Sequence, residues 1–193
     1  MKIWDVRDPV AVGTFVGHSD SVLSLTSQGG EPQLVSGGAD AFIFFWDLKA
    51  GKALTRLTRH KRPVRGLVLH HTDGTLTSCG ADSVRKWKLP SGDFIHNIET
   101  SPPGASLSPI EPWSCCAVSR RDTLFVGSLN GTACFVDYAA GAAYYSKMVK
   151  CKGWTEDRSI GIQCAAFDAS GTMLIMGLDN SVIHLWTRED VQI

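Results

Sequence analysis

The chain lacks most of the features that announce chemistry. It carries six cysteines, Cys79, Cys115, Cys116, Cys134, Cys151 and Cys164, yet none forms a CxxC pair. No paired cysteine–histidine spacing suits zinc. Several of these cysteines sit in strand-like apolar runs such as SCCAV and QCAAF. They are expected as free buried thiols in a reducing compartment, with Cys115 and Cys116 packing rather than cycling. No apolar run is long enough to cross a bilayer. The opening MKIWDVRDPV is charged and has no apolar signal core. Neither sign of charge is in excess: 19 Lys and Arg balance 19 Asp and Glu. Neutrality removes any global pull toward nucleic acid or acidic membranes, leaving only local patches. There is no phosphate loop, no GxSxG nucleophile elbow and no motif of paired carboxylates. Cofactor, metal and catalytic residues are therefore not expected. No stretch keeps a helical period.

What the chain does have is repetition. It has 193 residues, 44% hydrophobic and 20% charged, an ordinary foldable composition for one domain or part of one. GGADAFIFFWDLKAG at 37–51 is echoed by CGADSVRKWKLPSG at 79–92. Aligning KIWDVRD, FFWDLKAG, RKWKLPSG, CFVDYAAG and HLWTRED places Trp4, Trp46, Trp87, Val136 and Trp186 in register, at spacings of 42, 41, 49 and 50 residues. A Trp-Asp signature at about 40 to 45 residues is that of four-stranded propeller blades. Short β-rich runs punctuated by Gly, Pro and Asp fill each repeat, as in SVLSLTS, PQLVSGG, AFIFFWD and ALTRL. The expected fold is all-β, a partial β-propeller over residues 1–193. Repeats end near Trp46, Trp87, Val136 and Trp186, and an opening strand lies at Trp4.

Four residues recur inside the first two repeats: His18, Ser36, Asp40 and Trp46, then His60, Ser78, Asp82 and Trp87. This is the set that locks a WD-repeat blade. The turn Asp accepts from turn amides and from the His, and the His links through the Ser hydroxyl to the indole N–H. Buried polar groups need such partners. His, Ser and Asp also suggest a hydrolase triad, but the set occurs twice and includes a Trp that a triad does not require.

The later repeats are altered. Asn130 and Asn180 replace the turn Asp, Val126 and Met176 replace the Ser, and Val136 replaces one Trp. Longer connections appear at 99–113, rich in proline, and at 150–161. Such insertions read either as surface padding or as partner-binding loops. About four of the seven blades usual for WD propellers are expected. Three arrangements then compete: a C-terminal part of a longer chain, a ring completed by another chain, or a four-blade closure using KIWDV and AVGTFV. The first is favoured, because REDVQI is a poor outer strand for the last blade.

The segment from EPQLVSGG to FIHNI resembles the WD-repeat region of the pleiotropic-regulator family, spliceosomal proteins of the nineteen complex. The matching features are EPQ before the first full repeat's second strand, the H-K-x-x-V-R-x-x-V-L-H run from His60 to His70, KWKLPSGDFI, and GIQCAAFD. The shortened turn from Asp82 to Trp87 is a further mark. The resemblance implies a nuclear, non-catalytic scaffold in pre-mRNA splicing. It would contact other spliceosomal proteins and RNA only peripherally, without membrane or small-molecule substrate.

Two binding candidates stand out. Lys49, Lys52, Arg56, Arg59, Lys61, Arg62 and Arg65 fall in a stretch between Asp47 and Asp73 with no acidic residue. Arg59, Lys61 and Arg62 could share the rim of the Asp turns, as a solvated edge or as a site for an acidic peptide or RNA phosphate. No interleaved aromatics offer base stacking, which favours protein. Separately, Trp4-Asp5-Val6-Arg7 resembles the WDxR motif by which some WD proteins dock on a cullin ubiquitin-ligase adaptor. Arg7 would then serve a substrate receptor.

Overall fold

The computed structural model describes residues 1–7, 10–27, 33–70, 72–101, 111–149 and 160–187. These residues form strands and no helix. β1 (Lys2–Trp4) and β2 (Ala11–Thr14) make an antiparallel pair of their own. A first four-stranded meander follows, from β3 (Val22–Ser27) through β4 (Gln33–Gly38) and β5 (Ile43–Asp47) to β6 (Lys52–Leu57). The second is β7 (Val64–Leu69), β8 (Thr75–Gly80), β9 (Ser83–Lys88) and β10 (Phe94–Ile98). The third is β11 (Trp113–Val118), β12 (Thr123–Ser128), β13 (Thr132–Asp137) and β14 (Ala142–Met148). The last sheet has β15 (Ile162–Phe167), β16 (Met173–Leu178) and β17 (Ile183–Thr187).

The sheets are successive blades. Their first strands, β3, β7, β11 and β15, neighbour one another in turn. Every cluster of buried apolar residues lies between two consecutive sheets. Trp46, Phe44 and Phe15 join the β1–β2 pair to the first blade. Val35, Ile43 and Phe45 meet Leu67, Leu76 and Trp87 between blades one and two. Val84 and Ile98 meet Leu124 and Val136 between two and three. Phe125 and Phe135 meet Leu174 and Met176 between three and four. A sheet half-buried on each face thus gains its core only from its neighbours. Fully burying one such side chain contributes roughly 1.5–3 kcal/mol.

The backbone repeats as faithfully as the sequence. In every blade the innermost pair shifts register at the same place, between Val22 and Ser24, Val64 and Gly66, Trp113 and Cys115, and Ile162 and Cys164. A bulge there adds local twist. Blades also press close: a Cβ on Gly37 would lie 2.7 Å from the Val64 side chain of the next blade.

The all-β reading and the strand positions agree with the structure. The fourth blade differs, holding three strands among the described residues. Among the described residues β1 and β2 form a sheet of their own and are not hydrogen-bonded to the last blade, whose β17 pairs with β16. Cys79, Cys115, Cys116 and Cys134 are buried, but Cys164 is exposed. Cys164 sits on the face of the last blade that no described sheet covers, so its strand position does not bury it. Cys151, residues 188–193 and most of both long connections lie outside the described residues.

Candidate functional site

The lock residues come together in both intact blades. β4 supplies Ser36 and β5 supplies Trp46, while His18 precedes β3 and Asp40 sits in the β4–β5 turn. His18 Nδ1 lies 2.9 Å from Asp40, and His18 Nε2 lies 2.7 Å from Ser36 Oγ. Trp46 Nε1–H donates to the same hydroxyl at 2.8 Å. The amides of Ser19 and Phe42 donate to the Asp40 carboxylate. In the second blade His60 Nδ1 is 2.9 Å from Asp82, His60 Nε2 is 2.8 Å from Ser78 Oγ, and Trp87 Nε1–H donates to Ser78 at 2.8 Å. Each serine oxygen accepts the indole N–H and sits within hydrogen-bond reach of His Nε2, while His Nδ1 faces the aspartate, so each lock is one continuous polar chain from Trp to Asp. Burial lowers the His60 pKa below 6.5, which keeps that ring neutral. Burial opposes charge on Asp82, yet the hydrogen bond from His60, the Lys61 amide and nearby Arg85 leave its pKa lowered.

This is a Ser–His–Asp chain in geometry, but Ser36 and Ser78 are both 0% exposed. Each Oγ already accepts an indole N–H. A substrate carbonyl has no route to either oxygen. The close fit also explains the glycine before each Asp turn. A Cβ on Gly38 would lie 2.5 Å from both His18 Nδ1 and Asp40 Oδ1, and one on Gly80 would lie 2.7 Å from the Pro63 carbonyl.

The third blade fills the same space without a lock. Val126 and Val136 are fully buried where Ser36 and Trp46 stand in the first blade. Ser128 replaces the glycine, and its hydroxyl accepts from the Asn130 and Thr132 amides. The turn is thus closed from within. In the fourth blade Met176 is buried at the serine position, and Asn180 Oδ1 accepts from the Val182 amide.

A second polar assembly escaped the sequence reading. Tyr138, just after the third blade's Val136-Asp137, reaches across to the second. Its ring stacks on His70 at 4.4 Å and 15°. Its hydroxyl lies 2.6 Å from Thr75 Oγ1 and accepts from Thr77 Oγ1 at 3.3 Å. Lys86 Nζ sits 3.8 Å from the ring centroid and donates to the Tyr138 carbonyl at 3.2 Å. Asp73 pairs with Lys86 at 3.4 Å, and His70 Nε2 is 2.8 Å from Asp122. Burial raises the Tyr138 pKa. The signal was an apolar-strand position occupied by Lys86, a buried cation that demands partners.

The basic rim is less uniform than its sequence. Arg59, Lys61 and Arg62 are all exposed beside the Asp82 turn. The Arg59 guanidinium, however, lies 4.2 Å from the Phe94 ring centroid, a cation–π contact within its own blade. Lys61 and Arg62 extend the lock's outer edge, since the Lys61 amide donates to Asp82. Arg7 turns back on its own motif. Its Nε and Nη2 donate to Asp5 at 3.1 and 2.9 Å, with the Arg7 side chain 90% exposed.

Twofold locks on a Trp-Asp blade frame define a WD-repeat protein, and the WD domain, G-beta repeat family matches residues 10–47. Residues 10–47 carry that family's repeat. Over 141 residues, 73% of this chain, it is 30% identical to pre-mRNA-splicing factor PRP46 of Candida glabrata. It is 31% identical over 127 residues, 66% of the chain, to the PRP46 protein of Kluyveromyces lactis. It is 27% identical over 140 residues, 72% of the chain, to protein pleiotropic regulator PRL2 of Arabidopsis thaliana. The chain spans 31%, 28% and 28% of the lengths of these curated relatives.

Proposed function

We propose that the chain is a non-catalytic interaction scaffold in pre-mRNA splicing, acting in the nucleus within an assembly like the nineteen complex. The observation that carries this reading is its similarity to splicing factors over nearly three quarters of its length. The geometry is compatible with it. The most reactive residue set is sealed inside the blades, and what reaches solvent is a rim of loops suited to protein contacts. Lys61 and Arg62, flanked by Arg59, offer an acidic partner segment two exposed charges and one held against Phe94.

Purification of the tagged protein from nuclear extract, with protein and RNA identified together, tests the assignment. Small nuclear RNAs with nineteen-complex proteins are expected. A cullin adaptor without spliceosomal RNA would replace the scaffold with a ubiquitin-ligase receptor. In that case Arg7→Ala should lose the adaptor, because it releases the Asp5 pairing that shapes the WDxR tip. Changing Arg59, Lys61 and Arg62 together to Glu should weaken capture of splicing proteins at least tenfold while the thermal transition stays put. A variant that unfolds would remove the rim from the binding account.

A further inference from the structure

Blades one and two carry the same lock on loops of opposite charge. Aligning His18 with His60 sets Gly17, Ser19 and Asp20 opposite Arg59, Lys61 and Arg62. Ladder partners give a fourth match: Phe44 faces Ser36 in the first blade, and Arg85 faces Ser78 in the second. Phe44 fills its place by packing on His18 at 4.7 Å and on Trp46 at 5.2 Å. Blade one therefore builds the lock with no cation at any of these positions, and blade two puts one at each. The lock does not require them, so their charge answers to something outside the blade.

The four cations gather about Asp82. His60 points inward to Asp82 and Ser78, and the Lys61 amide donates to Asp82 at 3.2 Å. Pro63 disfavours a helical backbone at Arg62. Arg59 lies on the Phe94 ring. Arg85, with its side chain only 12% exposed, donates from Nη2 to Asp82 at 3.0 Å, while its Nε and Nη1 have no acceptor. Burial lowers the Arg85 pKa, Asp82 opposes that shift, and the neighbouring Arg59 charge adds to it. Among the described residues Arg59, Lys61 and Arg62 make no ion pair. Four cations against one carboxylate leave three charges in excess.

We infer that this cluster receives a phosphorylated serine or threonine in an acidic segment of a partner protein. A phosphoryl group brings about −1.5 to −2 charge and three acceptor oxygens, more than a carboxylate offers to several cations at once. A guanidinium already held on an aromatic ring loses less freedom when it binds such a group. RNA is the poorer match. The Phe94 ring is covered by Arg59 and meets the Trp87 ring edge-on at 5.7 Å, so it offers a base no free face to stack on. The inference rests on the scaffold reading in taking a protein as the partner, and goes beyond it in requiring phosphate.

Fluorescence anisotropy of the whole chain with labelled peptides Asp-Asp-X-Asp-Asp tests it, where X is phosphoserine, glutamate or serine, at about 0.15 M salt. The phosphopeptide should bind about tenfold more tightly than the glutamate peptide, and the serine peptide most weakly. Lys61→Glu with Arg62→Glu should abolish the preference, and Arg59→Ala should reduce it. Lys61 and Arg62 are exposed, and Lys61 reaches Asp82 through its backbone, so the double variant should keep its thermal transition. Arg56→Glu is the control. It makes the same change at an exposed arginine that rests on Phe42, on the face of β6 opposite to Leu57 and blade two. It should leave the preference intact. Equal binding of the phosphoserine and glutamate peptides would overturn the phosphate inference and leave an acidic partner standing. A preserved preference in a chain that captures no splicing proteins from nuclear extract would undo the splicing reading and support the phosphate site. Absent binding, an equal loss with Arg56→Glu, or tighter binding of an oligouridylate than of the phosphopeptide would each overturn the inference.

Discussion

The first two blades and the last two solve one packing problem differently. Blades one and two fill the space beside the central strands with a hydrogen-bonded Ser, His and Trp anchored on Asp40 or Asp82. Blade three uses Val126 and Val136, and blade four uses Met176 with Trp186. The register, the inner-strand bulge and the interblade cores are the same in both halves. The lock is therefore not what makes a blade. Pleat, bulge and neighbour burial do that. The lock adds specificity: each member is satisfied only when all four are placed, whereas an apolar filling tolerates exchange.

The comparison breaks most sharply at the large side chains. Trp87→Ala removes a buried indole at the interface of blades one and two, and should cost about 3–5 kcal/mol. Val136→Ala, at the matching place in blade three, removes two methyl groups and should cost clearly less. Urea titrations of both variants, read by tryptophan fluorescence and far-ultraviolet circular dichroism together, check the ranking. Equal losses would mean that blade three depends on its apolar filling as heavily as blade two on its lock.

A reciprocal exchange sharpens it. Ser36→Val leaves His18 Nε2 and the Trp46 indole N–H without their shared partner, at about 1–3 kcal/mol for each orphan. Val126→Ser buries one hydroxyl among apolar neighbours with no histidine to receive it, and should cost about 1–3 kcal/mol in total. Changes in opposite directions are thus both expected to destabilise. If Val126→Ser were neutral, the apolar site would already hold an unseen acceptor.

The contrast also explains what was legible. Repeat spacing, strand runs and lock members follow from local pattern, because Trp46 and Trp87, Asp40 and Asp82 recur at fixed offsets. The Tyr138 assembly was not legible. Its members, His70, Asp73, Thr75, Lys86 and Asp122, come from four separate connections or strands, and no short motif joins them. Lys86 alone gave a hint, as a charge flanked by the apolar Val84 and the lock's Trp87. The ordering of Arg59 on Phe94 was hidden for the same reason: the partners are 35 residues apart and meet only once β10 is placed. Ser128 taking over the Asn130 turn was hidden because a serine in place of glycine reads as decay, when in fact it restores the lost acceptors.

That cross-blade assembly offers a middle-sized test. Tyr138→Phe keeps the stack on His70 and the contact with Lys86 but deletes the hydroxyl between Thr75 and Thr77. A loss of about 1 kcal/mol is expected, the net worth of ordinary hydrogen bonds. It should loosen blades two and three together, seen as faster hydrogen exchange in β8 and β12 alike. Exchange confined to one blade would show that Tyr138 serves its own sheet only.

The smallest expected effect is one of pH, and near neutrality it rests on His60 in the locked half. His60 is held neutral by burial, opposed by Asp82 and helped by Arg85, so its folded pKa lies below the unfolded value of 6.5. As pH falls through 6.5 the unfolded chain takes up a proton that the folded chain refuses. The unfolded state then binds more protons, so stability rises with pH across this window and is lost on acidification. Asp40 and Asp82, with folded pKa values below 3.8, add a loss of the same sign at lower pH. The urea midpoint should therefore drop between pH 7 and pH 5.5. His60→Gln, although less stable throughout, should show a smaller drop over the same interval because one titrating group is gone. An unchanged slope in that variant would place the proton uptake elsewhere and remove His60 from the account, leaving burial of a neutral ring as a packing fact without a linked pH response.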